Sequence, residues 1–108
     1  MDFENIFKEI KNVLIKLLGE KYQGFKSESK KDVEIFLNNS KDKFERWTTL
    51  LANKDISIDE YEWLVKSQKD LLTLKALQKA GISKISLGHL KNSIIKSIVG
   101  VVKAAVLI

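Results

Sequence analysis

The chain has 108 residues and a net charge of +5, with 44% hydrophobic and 31% charged residues. This length and composition predict one domain with a modest core and argue against an intrinsically disordered protein. The absence of proline and the presence of only five glycines favour a few long helices over a turn-rich β-sandwich. The absence of cysteine excludes disulfides, thiolate nucleophiles and cysteine metal sites.

The first predicted helix covers residues 2–18. Asp2 is suited to cap its start, and Gly19 is suited to mark its end. The glycines and serines that follow predict a connection over residues 19–29. Apolar residues recur in the helix at spacings of three and four, and they are Phe3, Ile6, Phe7, Ile10, Val13, Leu14, Leu17 and Leu18.

The second predicted helix covers residues 29–53, and its apolar face includes Phe36 and Phe44. A polar run from Asn38 to Ser40 interrupts this face, because Ser40 stands where a further apolar residue is expected. The run permits a bend or a break in the helix.

The third predicted helix covers residues 57–80. Ser57 and Glu60 have the spacing of a capping box, in which each side chain accepts the other residue's backbone N–H. Gly81 is expected to end the helix, with Ile82 placed for the apolar contact that accompanies a glycine cap.

The fourth predicted helix covers residues 86–108. Small residues form one stripe along this helix, and this stripe either admits a close neighbouring helix or faces solvent. They are Ser86, Ser93, Ser97, Gly100 and Ala104. Since eight of the last fifteen residues are isoleucine or valine, a β-strand is the alternative. Apolar residues fill about half of the helix circumference, and they are Leu87, Leu90, Ile94, Ile95, Ile98, Val99, Val101, Val102, Ala105 and Val106.

Charge is distributed unevenly along the chain. Residues 1–70 carry 13 basic and 14 acidic side chains, whereas residues 71–108 carry six lysines and no aspartate or glutamate. Eighteen of the 19 basic residues are lysine, which favours diffuse attraction to anions over specific base recognition. The longest apolar runs are too short for an ordinary membrane span, and the acidic N-terminal residues are unlike a signal peptide. We therefore expect a cytoplasmic protein.

The sequence offers little that suggests a reaction. The run from Asp55 opens like a calcium loop, but Glu60 replaces the required glycine and Lys66 replaces the required glutamate. His89 is the only histidine and has no nearby carboxylate in the sequence, so we expect it at the surface or in an interface. Phosphate-binding glycine loops, nucleophile elbows and carboxylate dyads are missing from the sequence. We expect no enzymatic activity, catalytic residue, cofactor or metal.

The sequence therefore predicts an all-α fold, a small up-down four-helix bundle whose C-terminal helix is central or at an oligomer interface. The predicted function is a non-enzymatic protein–protein interaction or structural module, with another protein or a second copy as partner. The alternatives are a peripheral membrane-binding protein, which would use the cationic C-terminal helix, and a nucleic-acid-binding accessory protein. The predicted interface residues are Trp63, Leu87, Leu90, Ser93, Ile94, Ser97, Ile98, Gly100, Val101, Ala104, Ala105 and Ile108.

Overall fold

The computed structural model describes residues 2–107, apart from the side chain of Lys26, and the regular elements in this part of the chain are all helical. The all-α prediction is confirmed, and the β alternative for the C-terminal segment is wrong. The molecule measures 43 × 23 × 22 Å. The elements are α1 (Phe3–Lys21), a first 3-10 turn (Gln23–Phe25), α2 (Lys26–Ala52), α3 (Ile58–Lys66), a second 3-10 turn (Lys69–Leu71), α4 (Lys75–Lys79) and α5 (Lys84–Val106).

Helix α1 is longer than predicted. It begins after Asp2, as expected, and the Asp2 carboxylate accepts the backbone N–H of Glu4 at 3.1 Å. The helix passes through Gly19, because one glycine costs only about 1 kcal/mol relative to alanine and the packed apolar face outweighs that cost. Residues 22–25 alone separate α1 from α2, so most of the predicted connection over residues 19–29 is helical.

Helix α2 is continuous, so the break considered at Asn38 to Ser40 does not occur. Asn38 and its neighbour face solvent, whereas Ser40 is buried on the core face between Phe36 and Phe44. The two phenyl rings approach to 6.0 Å between centroids in an edge-to-face arrangement. A small side chain at position 40 leaves room for this contact, which explains why an apolar residue of ordinary size is not found there.

The prediction of a single third helix over residues 57–80 is wrong. Helix α3 ends at Lys66, and the backbone at Leu72 is extended, with φ −79° and ψ 104°. Leu72 and Leu74 are buried, while Thr73 between them is exposed. Side chains two residues apart point in different directions on a helix but in the same direction on an extended segment. The extended segment therefore buries both leucines, which a continuous helix through residues 72–74 would not do.

Helix α4 is held at both ends by specific hydrogen bonds. At its start, the backbone N–H of Ala76 donates to the carboxylate of Asp32 on α2 at 3.0 Å. At its end, Gly81 adopts a left-handed φ of +87°, and the N–H of Ile82 donates to the carbonyl of Leu77 at 3.1 Å. The glycine cap and the packing of Ile82 on the core confirm the sequence prediction.

Helix α5 is central to the fold and packs against α1, α2, α3 and α4. It lies antiparallel to α3. Leu107, after the end of α5, lines a surface depression with Ile58 at the start of α3, whereas Lys96, near the middle of α5, lines one with Lys66 at the end of α3. Seven of its side chains are buried, and they are Leu87, Leu90, Ile94, Ile95, Ile98, Val99 and Val102.

One buried polar pair connects α2 to α3. The hydroxyl groups of Thr48 and Tyr61 lie 2.9 Å apart, and both residues are fully buried. Burial disfavours the phenolate and raises the pKa of Tyr61 to about 12, against a weaker opposing effect of the Thr48 hydrogen bond. The pair therefore acts as a neutral, structural hydrogen bond.

Candidate interaction surfaces

The structure separates the predicted interface residues into a buried set and an accessible set. The buried residues lie in the chain's own core, where they cannot contact a partner of the folded protein, and they are Leu87, Leu90, Ile94 and Ile98. Their inclusion in the predicted interface is therefore corrected, because α1, α2 and α3 cover this side of α5. Ile108 lies outside the described residues. The accessible or partly accessible residues are Trp63, Ser93, Ser97, Gly100, Val101, Ala104 and Ala105.

A shallow groove of about 330 Å³ runs between α1 and α5. Its apolar lining consists of Ile6 from α1 and of Val101, Ala104 and Ala105 from α5. The α1 wall adds polar side chains, including the exposed carboxylate of Glu9. We call this the α1/α5 groove. It continues past Ile6 and Ala105 into a neighbouring depression beside the end of α2.

Small residues flank this groove along the outward side of α5. We call Ser93, Ser97, Gly100 and Ala104 the outer stripe, and all four are at least partly exposed. A Cβ atom built at Gly100 would meet no neighbouring element within 4 Å. Packing within the described part of the chain therefore does not require glycine at this position, and the outer stripe is not covered by another helix of this chain.

A second surface lies on the opposite edge of α5, where α5 meets α3. A crevice of about 230 Å³ separates the two helices. Glu62 and Lys66 form its α3 wall, Asn92 and Lys96 form its α5 wall, and Ile95 lies between them. We call this the α3/α5 crevice.

Trp63 on α3 has 71% of its surface exposed. It follows Glu62 in α3 and lies one helical turn before Lys66, so the indole and the Lys66 side chain are neighbours on the helix surface. Trp63 is one of the predicted interface residues, and tryptophan is enriched at the centres of protein interfaces. Its exposure leaves the indole accessible to a partner.

The calcium-like run after Asp55 is accounted for by helix capping. Ser57 Oγ accepts the N–H of Glu60 at 3.1 Å, and Ser57 N–H donates to Glu60 Oε1 at 3.0 Å. This reciprocal pair confirms the predicted capping box. His89 is exposed on α5, as expected. Between residues 2 and 107, no group of three or more His, Asp or Glu side chains is placed to hold a metal ion.

Sequence reasoning found Trp63 but missed the walls that complete both surfaces. Glu9 lines the α1/α5 groove because the fold packs α1 against α5. Lys66 lines the α3/α5 crevice because the fold also packs α3 against α5. Periodicity indicates which residues of a helix face inward, but it does not reveal which other helix lies beside them.

Comparisons with protein-family models, with curated proteins and with solved structures give no match. Among the helices of residues 2–107, none combines the length and the apolar character needed to cross a membrane.

Proposed function

We propose that this chain is a small, non-enzymatic protein–protein interaction module that self-associates through the α1/α5 groove and the adjoining outer stripe. One observation carries the proposal: the exposed end of α5 presents small, uncharged side chains at Val101, Ala104 and Ala105 beside Ile6. Small residues permit close approach of a second helix, and removal of this apolar surface from water favours association.

The charge pattern supports a second copy as the occupant. Lys103 lies roughly a quarter turn around α5 from the outer stripe, on the side away from α1. If two copies pack these stripes together with their α5 helices parallel, a twofold axis brings Lys103 of each α5 towards the other subunit's α1. That helix places Glu9 at the groove, so Lys103 of each subunit approaches one carboxylate of the other.

Burial of α5 weighs against its use as a membrane-binding helix. Its apolar arc contributes Ile94, Ile98 and Val102 to the core, each fully buried. Insertion of this arc into lipid would require α5 to leave the bundle and would expose the apolar faces that it covers. The proposed association uses the outward side of α5 and leaves the fold intact.

Sedimentation equilibrium from micromolar to millimolar concentrations tests the proposal. We expect the mass to rise from 12.3 kDa towards twice that value. Ala105→Lys places a long cation in the groove and should weaken association about tenfold or more. Gln78→Lys makes the same change in charge at an exposed position of α4 and should leave the mass unchanged. A monomer at every concentration would refute the proposal.

A charge exchange tests the predicted pairing across the interface. Glu9→Lys and Lys103→Glu should each weaken association, because each places like charges together. The double variant restores opposite charges and should recover much of the wild-type affinity. Additive losses in the double variant would refute the parallel arrangement.

Two glycines of α5 provide a matched control for close packing. Neither Gly88 nor Gly100 has a neighbouring element within 4 Å of an added Cβ, so alanine at either position should stabilise the helix by about 1 kcal/mol. Gly100→Ala should also weaken self-association, since position 100 belongs to the outer stripe. Gly88→Ala should leave self-association unchanged. Equal effects of the two variants on association would contradict the proposal.

A further inference from the structure

The α3/α5 crevice has the features of a second, separate contact site. Trp63 is the most exposed aromatic side chain within residues 2–107, and it lies on α3 one helical turn before Lys66, which lines the crevice. An exposed indole offers a large, rigid apolar surface that loses little conformational freedom when it is covered. Tryptophan in such a position is a typical energetic anchor of a protein interface.

The charged groups around the crevice define what it would accept. Lys66 and Lys96 extend from opposite walls, and within the described part of the chain neither has a carboxylate within 4.0 Å. A carboxylate placed between them would therefore gain two cationic partners. Asn92 adds an amide that can donate and accept hydrogen bonds, and Glu62 adds an acceptor for a backbone N–H.

We infer that the α3/α5 crevice binds an acidic peptide segment of another protein. One aspartate or glutamate of that segment lies between Lys66 and Lys96, and an adjacent apolar or aromatic side chain covers Trp63. The site goes beyond the proposed self-association, because α1 forms the second wall of the groove and α3 forms the second wall of the crevice.

The acidic residues of α3 favour a short peptide over an extended polyanion. Asp59, Glu60 and Glu62 are exposed on the helix that carries Trp63. A nucleic acid strand could stack a base on the indole, but its backbone would extend past these carboxylates. A flat anionic membrane would meet the same repulsion. A single acidic side chain in the crevice also meets Glu62, but the two lysines there outnumber that one carboxylate.

Selection from a displayed library of random peptides against the full-length protein tests the inference. We expect the recovered peptides to combine an acidic residue with an apolar or aromatic one. Trp63→Ala should weaken their binding about tenfold or more, and Trp63→Phe, which keeps an aromatic ring, should restore part of it. Peptides that bind equally well to Trp63→Ala, or that show no acidic excess, would overturn the inference.

Charge reversal tests the role of the two lysines. The pair Lys66→Glu and Lys96→Glu should weaken peptide binding about tenfold or more. The matched pair Lys16→Glu and Lys79→Glu changes the net charge equally at exposed positions outside the crevice and should bind as the parent does. Equal losses in the two pairs would show attraction by overall charge and would overturn the inference.

The emission of Trp63 provides a direct readout of contact. In a Trp47→Phe background, Trp63 is the sole tryptophan, and the phenyl ring preserves an aromatic contact with Phe44. A selected acidic peptide should shift the emission to shorter wavelength. Oligothymidine and phosphatidylglycerol vesicles are the comparison probes. A larger Trp63-dependent response to either probe would overturn the peptide assignment in favour of nucleic acid or membrane.

The two proposals fail independently. Trp63→Ala should leave the sedimentation behaviour unchanged, and Ala105→Lys should leave peptide binding unchanged. A monomeric protein that binds acidic peptides through Trp63 would refute self-association alone. A self-associating protein without a Trp63-dependent peptide would refute the crevice alone.

Discussion

Replacement of Lys54 by glycine should stabilise the protein. Among the described residues, Lys54 is the one non-glycine residue with a positive φ, at +63°. It occupies the position after the end of α2 that usually holds glycine: its N–H donates to the carbonyl of Leu51 at 3.0 Å, and the N–H of Asp55 donates to that of Leu50 at 2.9 Å. This hydrogen-bond pattern requires the left-handed conformation, whichever residue is present.

The magnitude follows from two opposing effects. The left-handed conformation costs a residue with a Cβ atom about 1–2 kcal/mol, a cost that glycine avoids. Glycine, however, increases the entropy of the unfolded chain, which offsets about 0.5–1 kcal/mol of the gain. We therefore expect Lys54→Gly to raise the free energy of unfolding by about 0.5–1 kcal/mol and the Tm by roughly 2–6 °C.

Gly81 provides the control of opposite sign. Its φ is +87°, and a Cβ atom there would contact nothing within 4 Å, so Gly81→Ala isolates the conformational cost. It should destabilise the protein by about 1 kcal/mol. Urea denaturation followed by far-UV circular dichroism measures both variants. A Lys54→Gly variant no more stable than the parent, or a Gly81→Ala variant more stable than the parent, would refute this reasoning.

Four further predictions follow from the core and the surfaces. Thr48→Val should lower the free energy of unfolding by about 1–3 kcal/mol, because the buried Tyr61 hydroxyl loses its partner. Ser40→Ala removes a buried hydroxyl that has no hydrogen-bond partner, so it should be neutral or stabilising in the same denaturation assay. The pKa of Tyr61 is raised from 10.0 to about 12, so the tyrosine of the unfolded state releases its proton first as the pH rises. The free energy of unfolding should therefore fall by about 1.4 kcal/mol per pH unit between pH 10 and pH 12. Tyr61→Phe should not show this part of the pH dependence. Titration calorimetry with calcium and with zinc should give no stoichiometric micromolar binding, since the carboxylates after Asp55 and the lone His89 supply too few ligands. Vesicle flotation should recover little protein with anionic vesicles at physiological salt, because the apolar arc of α5 is buried; strong, salt-sensitive recovery would contradict this.

The long helices were predictable because each carries a sustained apolar stripe. In α1, α2 and α5, apolar residues recur on one face over five or more turns, and the packing of these faces forms the core. The region around Leu72 and Leu74 was not predictable, because a run of leucines fits a helix as well as it fits an extended segment. The Asp32 cap on α4 was missed for a related reason, since its partner lies 44 residues away.

The candidate surfaces divide in the same way. The sequence identified Trp63 as a candidate interface residue and the small residues of α5 as a distinct stripe. It assigned Ile94 and Ile98 to an interface because an apolar helix face has the same pattern whether it packs within the chain or against a partner. The structure resolves this ambiguity by burial, and it adds Glu9 and Lys66 as the charged neighbours that define the chemistry of each surface.

The structure also shows how the lysines of residues 71–108, which include no aspartate or glutamate, are distributed in space. These lysines are spread along the molecule: Lys84 and Lys103 are separated by nineteen positions of one helix, about 28 Å along its axis. The Debye length at physiological ionic strength is about 8 Å, so these charges do not act together as one cationic patch. An extended polyanion or a membrane would gain little from each lysine in isolation. Lys66 and Lys96 line one crevice from two adjacent helices, so both can approach a single compact anion. Local pairing of this kind suits one acidic side chain of a protein partner, which is the chemistry proposed for the α3/α5 crevice.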